Sequence, residues 1–277
     1  MAAAAMLWAG LRALPVQAAP LGKGSASRED RFTASRAIPF DRLTPEAQQK
    51  IARVVSKPTL FRRMPTNVID CDPQIYRFLI RYPEVVVNIW QLMGITRVTI
   101  DRVGPYTLNA RDGVGTITSI ELVYGDQETH LLYCEGHYDG PLFPRPLTGR
   151  CVLLLKSGYR QTPEDRWSIT NEMDVFLQID NMAVDVVTRT LHPLLGKSAD
   201  LNFVQSTEFL ERISRTSEEN GSGMNRLAQR LDNVQPDVRD QFAQLTQELH
   251  ASAKAKSDTA AVAQKRAADD PGAVQTQ

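Results

Sequence analysis

The chain has 277 residues, 42% of them apolar and 23% charged, with 32 Lys plus Arg balanced by 32 Asp plus Glu. That length and apolar content suffice for one large domain, or one domain with tails, and the charge balance supplies no global field for nucleic acid or an anionic membrane. Cys71, Cys134 and Cys151, an odd count without a CxxC pair, imply neither a zinc site nor a disulfide framework.

In chain order, Ala2 to Leu14 is apolar apart from Gly10 and Arg12, and Val16-Gln17-Ala18 puts small residues where a signal peptidase cuts. Residues 1–18 are expected to leave as a signal peptide and the mature chain to be secreted or periplasmic, although no Lys or Arg precedes the apolar run and Met6 is a second candidate start. Nothing further on approaches the roughly 18 apolar residues of a membrane span. Residues 19–43 carry Gly, Ser, Arg and Asp without periodicity and read as a linker.

Thr44-Pro45-Glu46 opens a helix with a hydroxyl cap, Pro in the first turn and an acid at the positive end. Ile51, Val54 and Val55 give it an apolar face, and Pro58 stops it. Asp72-Pro73 repeats the device, and Tyr82-Pro83 restarts the helix. The stretch Val85 to Met93 is apolar nearly all round and reads as a central buried helix, its β-branched content leaving a strand as the alternative.

From Thr96 the texture is β. Six strands are expected at Arg97–Arg102, Tyr106–Ala110, Gly115–Tyr124, Thr129–Tyr138, Arg150–Lys156 and Trp167–Asp180, separated by turn signals such as Gly104-Pro105, Asp112-Gly113 and Gly125-Asp126. Short connections favour an antiparallel meander. Cys151 to Leu155 is continuously apolar and should be central, covered on both faces. Trp167, Ile169, Met173, Val175, Leu177 and Ile179 alternate with polar residues, the pattern of one buried and one wet face, which Asn171 and Phe176 interrupt. After Asp180-Asn181 the period changes, and Met182, Val186, Val187, Leu191 and Leu194 predict a helix over 181–195. Beyond Asn220-Gly221, Leu227, Leu231, Val234, Val238, Phe242, Leu245 and Leu249 step by three and four, predicting a helical hairpin or coiled-coil extension over 216–250. Residues 251–277 read as a disordered tail. The fold class is therefore α+β: a sheet domain over 44–215 with a packed C-terminal helix.

The order of helices, antiparallel run and closing helix is similar to the helix-grip fold of the START-like (SRPBCC) superfamily over about residues 70 to 215. That fold begins with a strand, for which Asn67-Val68-Ile69 is the candidate. Three stretches, Arg81 to Trp90, Glu135 to Phe143 and Phe176 to Asn181, resemble an uncharacterised family of secreted proteins from planctomycete-type bacteria. The second resemblance implies a compartment and no activity.

Chemistry-bearing signals are few. Glu135, His137 and Asp139 share one strand face, but no matching ligands appear elsewhere, so no metal is expected. Lys156-Ser157-Gly158-Tyr159 lacks the context of a nucleophile elbow, and no P-loop or dinucleotide fingerprint occurs. His192-Pro193 reads as packed or capping. Cys134 and Cys151 lie on neighbouring strands, where a bridge and two free thiols are both compatible with the sequence. No cofactor is expected. The expected function is non-catalytic binding of an apolar, lipid-like small molecule between sheet and C-terminal helix, with Trp167, Ile169, Asn171, Met173, Val175 and Leu191 as its lining and Asn171 as the polar marker. The alternatives are a protein partner or self-association through 224–250, and an enzyme with an unrecognised site. N-terminal sequencing of the mature protein should read Ala19; a retained Met1 or Met6 in a cytosolic fraction would refute export.

Overall fold

The computed structural model describes residues 23–141, 145–180 and 196–269. The chain opens with α1 (Arg28–Arg36), a 3-10 turn (Phe40–Arg42) and α2 (Pro45–Ser56). Two short strands follow, β1 (Leu60–Arg63) and β2 (Asn67–Asp70), and then α3 (Pro73–Arg81) and α4 (Pro83–Leu92). The meander comprises β3 (Thr99–Arg102), β4 (Thr107–Arg111), β5 (Thr116–Gly125), β6 (Thr129–Tyr138), β7 (Leu147–Gln161) and β8 (Trp167–Ile179). Helices α5 (Lys197–Glu219), α6 (Gly221–Ala228) and α7 (Pro236–Asp269) close the described part.

The protein is α+β, an open antiparallel sheet ordered β1-β8-β7-β6-β5-β4-β3 with β2 also paired to β8. All six expected meander strands are present, and the element order is the one the helix-grip resemblance implies. β1 and β2 together supply the strand that precedes the small helices. They run as one broken line along β8, from Leu60 opposite Leu177 to Asp70 opposite Ser168. The break falls at Met64-Pro65: the Met64 N–H still donates to the Met173 carbonyl at 2.8 Å, whereas Pro65 has no N–H to give.

Cys151 to Leu155 is 8% exposed or less at every position, as its continuous apolar run predicts. One sheet face, here the inner one, places Leu132, Leu153, Leu155, Met173 and Val175 in a core shared with α3 to α7. The outer face places Leu131, Val152, Leu154 and Phe176 under Ala34 of α1 and Ile51 and Val54 of α2. The expectation of a wet outer face for β8 is thereby corrected, since Asp174 is 6% and Phe176 0% exposed. The cover comes from residues whose composition reads as a linker. Ser27 caps α1 by accepting from the Asp30 N–H, and Asp30 reaches the Arg63 guanidinium at 2.7 Å.

Adjacent arginines on β1 hold the two layers, because alternation sends them to opposite faces. Arg62 donates from Nε to Asp200 of α5 at 2.7 Å on the inner side, and Arg63 donates to Asp174 at 2.8 Å on the outer side. In α4 every residue from Pro83 to Trp90 is buried, including Glu84 and Asn88, so the helix reading of this stretch holds over the strand alternative. Glu84 accepts two bonds from Arg102 of β3, whose guanidinium also donates to the carbonyls of Arg81 and Pro105. A buried charge is tolerated only when paired and bonded in this way.

The 216–250 segment is helical as expected. Its apolar residues are spent inside the chain: Met224, Leu231, Val234, Val238 and Phe242 belong to the inner core, and the Phe242 ring stacks 5.9 Å from Phe78. Where composition reads as disorder, α7 carries the helix on to Asp269. The predicted signal peptide and the predicted helix over 181–195 lie outside the described residues.

His130, at the start of β6, is 6% exposed and its Nδ1 has no hydrogen-bond partner. Burial pushes its pKa down to about 4 from the ordinary 6.5, opposed by the nearby Asp126 carboxylate. The folded chain keeps the imidazole neutral where the unfolded chain takes up a proton, so stability is full above the ordinary value and falls as pH drops toward the folded one. At about 1.4 kcal/mol per pKa unit, roughly 3 kcal/mol should be lost over that window, levelling below it. Urea unfolding from pH 7 to 4 checks this, and His130→Leu should flatten the same stretch of the profile.

Candidate functional site

The inner face of β8 delivers four of the expected lining residues to the sheet–helix interface. Ile169, Asn171, Met173 and Val175 are all 2% exposed or less. The three apolar side chains lie in the core with Ile75 and Leu79 of α3 and Phe203 and Leu210 of α5. Asn171 sits among them with both amide atoms bonded. Its Oδ1 accepts from the Tyr76 hydroxyl at 2.5 Å, and its Nδ2 donates to the carbonyls of Ile169 at 3.2 Å and Asn67 at 3.4 Å. Because Tyr76 has one proton and gives it to Asn171, the Ser157 hydroxyl, 2.7 Å away, donates to Tyr76. Asn67 in turn donates to Thr207 of α5 at 2.7 Å, so the polar line runs from β7 through β8 and β2 to the long helix. Burial raises the Tyr76 pKa, and the phenol stays protonated as a donor. Leu191 lies outside the described residues.

Trp167 differs from the other four. It is 37% exposed and rims a cavity of about 240 Å³ between the beginning of β8 and the helices α5 and α7. One wall is the β7–β8 hairpin, with Glu164, Asp165 and Arg166. A second is the end of β2 and the cap of α3, with Asp70, Cys71 and Asp72. Glu218 of α5 and Leu249, Ala253 and Lys256 of α7 complete it.

Each wall is tied to the next. At the hairpin tip Asp165 takes a left-handed φ of 57°, which a short acidic side chain tolerates better than most. That turn directs its carboxylate to Lys256 at 2.6 Å. The Cys71 N–H donates to the Trp167 carbonyl at 3.1 Å, Asp72 caps α3 through the Gln74 and Ile75 N–H groups, and the Asp72 N–H donates to Ser214 of α5 at 2.9 Å. His250 of α7 bonds the Glu218 carbonyl at 2.7 Å. The hydrogen bond from Lys256 lowers the Asp165 carboxyl pKa. Burial raises that of Glu218, partly offset by Arg166, and pushes the Cys71 thiol far above its ordinary value, leaving it neutral.

The other polar signals are absorbed structurally. Glu135 meets Arg150 at 3.0 Å, and Arg150 meets Asp180 at 2.8 Å. Among the described residues no group of three or more His, Cys, Asp and Glu is arranged to hold a metal ion. Cys134 and Cys151 stand directly opposite on β6 and β7 as buried free thiols, and burial raises both pKa values. His192 lies outside the described residues.

Of the residues that line this cavity, sequence reasoning names Trp167 as ligand lining and does not so name Asp165, Glu218, Leu249 or Lys256. A hairpin tip and a helix nearly a hundred residues later share no pattern that periodicity detects.

No family model matches this chain, and no curated protein matches it. Among solved structures it is similar to that of Ara h 8.0201, at 12% identity and a TM-score of 0.29, covering 53% of this chain and 97% of that one. It is similar to apo Dicamba Monooxygenase at 12% identity and a TM-score of 0.32, covering 73% and 60% respectively. A third likeness is to the di-domain ARO/CYC BexL from the BE-7585A biosynthetic pathway, at 16% identity and a TM-score of 0.26, covering 75% and 60%. The chain thus spans about three-fifths of the length of the last two, and at such scores the fold rests on the topology described above.

Replacing Asn171 with Leu should cost about 1–3 kcal/mol, because the Asn67 carbonyl loses a donor and the Tyr76 hydroxyl loses its acceptor in a dry core. Urea unfolding should show this as a lower midpoint at unchanged slope, and an unchanged midpoint would refute the network's role.

Proposed function

We propose that this chain is a non-catalytic, exported binding protein that takes a small molecule with an apolar body between its sheet and its C-terminal helices. The observation that carries the reading is the cavity at Trp167. It lies where β2 and β8 meet α5 and α7, it is bounded by an exposed indole, and its volume of about 240 Å³ accommodates a compact molecule. Export rests on the leading 18 residues, and kinship with the secreted family rests on the three resembling stretches. No helix among the described residues is long and apolar enough to cross a membrane.

The position of the site follows from how the rest of the interface is used. Farther along β8, Ile169, Met173 and Val175 are packed in the core and Asn171 is bonded there, so a ligand is offered the Trp167 end. Trp167, Leu249 and Ala253 present apolar surface, and the surrounding polar groups orient what enters.

Calorimetric titration with 2-naphthol, a neutral aromatic of matching bulk, tests the reading. A Kd on the order of 0.1 mM is expected, equivalent to roughly 0.5 kcal/mol per non-hydrogen atom, and Trp167→Ala should weaken it at least fivefold with an unchanged melting temperature. Absence of binding at millimolar probe, or binding indifferent to Trp167→Ala, would overturn the assignment.

A further inference from the structure

We propose that the molecule taken by this cavity is an organic cation, an ammonium group carried on a small alkyl or aryl body. This rests on the cavity being the binding site and adds the chemistry of its occupant. Two unlike features point to the same class. The first is Trp167, partly exposed at the rim of the cavity; an aromatic face attracts a desolvated cation through its quadrupole.

The second is the charge around it. Five carboxylates line the cavity, of Asp70, Asp72, Glu164, Asp165 and Glu218, against the two cations Arg166 and Lys256. Most of these are already engaged. Asp72 is spent on the α3 cap, Asp165 holds Lys256 at 2.6 Å, and Asp70 stands 3.9 Å from Arg166. Among the described residues the carboxylates of Glu164 and Glu218 accept no side-chain hydrogen bond and close no ion pair, although Arg166 and Arg215 attract Glu218 from farther away. Glu218 is also partly desolvated, and burial lifts its pKa. A carboxylate partly removed from water without a donor is compensated by an incoming ammonium. An anion would meet five carboxylates against two cations, each of which already stands beside a carboxylate.

The geometry also selects for a body on the ammonium. Leu249 and Ala253 on α7 line the cavity and give apolar surface beside the charge. An inorganic ion would leave that surface and the indole unused.

The test uses two probes of one shape, choline and its neutral isostere 3,3-dimethylbutan-1-ol, titrated calorimetrically at low ionic strength with 2-naphthol as the reference. Choline should bind at least tenfold tighter than the alcohol, and the ratio should fall to about twofold in Glu218→Gln and shrink on adding salt. Glu164→Gln supplies a second variant should Glu218→Gln melt early. Equal binding of the two isosteres, tighter binding of the alcohol, or an undiminished ratio in both variants overturns the cation assignment. So does 2-naphthol binding alone, and the binding reading then survives. If none of the three probes binds, the binding reading itself fails.

Discussion

The central strands β7 and β8 are buried on both faces, and that constraint organises most of the chain. A strand pair with Val152, Leu154 and Phe176 on one side and Leu153, Leu155, Met173 and Val175 on the other cannot face water anywhere along its middle. Each face therefore needs a helical layer, and the layers come from different parts of the sequence. Residues before β1 cover the outer face, and α3 to α7 cover the inner. β1 lies between the layers and clamps both, Arg62 to α5 and Arg63 to α1 and Asp174.

Polar groups inside this arrangement are tolerated because they form closed sets. The line from Ser157 through Tyr76 and Asn171 to Asn67 and Thr207 connects β7, α3, β8, β2 and α5. In a low dielectric such a network is favourable only while every member is bonded. It thereby fixes how α3 and α5 are seated on the sheet, a role packing alone leaves degenerate. Glu84 with Arg102 does the same for α4 against β3. Among the described residues the Thr116 hydroxyl and His130 are exceptions; His130 is a buried imidazole with one nitrogen unpaired, and it ties stability to pH.

The cavity at Trp167 lies where these closed sets end. Its walls are joined by contacts that differ greatly in strength. The Asp72 and Ser214 bond is part-buried, whereas the Asp165 and Lys256 pair is about 60% exposed on both sides and screened by solvent. The α7 side of the cavity is therefore the weaker-held side.

Much of this was legible in the residues themselves. Alternation, turn residues and N-terminal caps depend only on near neighbours, so the six meander strands and the helices opening at Pro45, Pro73 and Pro83 followed from local rules. The continuous apolar run in β7 likewise announced burial on two faces. What covers each face did not follow. The helix before Thr44 forms in an ordinary polar sequence that docks on Arg63, whereas the helix after Ala251 is largely exposed and rests on the high helix propensity of its Ala, Lys and Gln residues. Asn171 could be recognised as an interruption, yet whether it faces a ligand or Tyr76 depended on a partner 95 residues away. Local sequence determined the elements and their buried sides, because those reflect backbone geometry and hydrophobicity a few residues apart. Tertiary structure alone decided the layering and the cavity, because both arise from contacts between segments that share no periodicity.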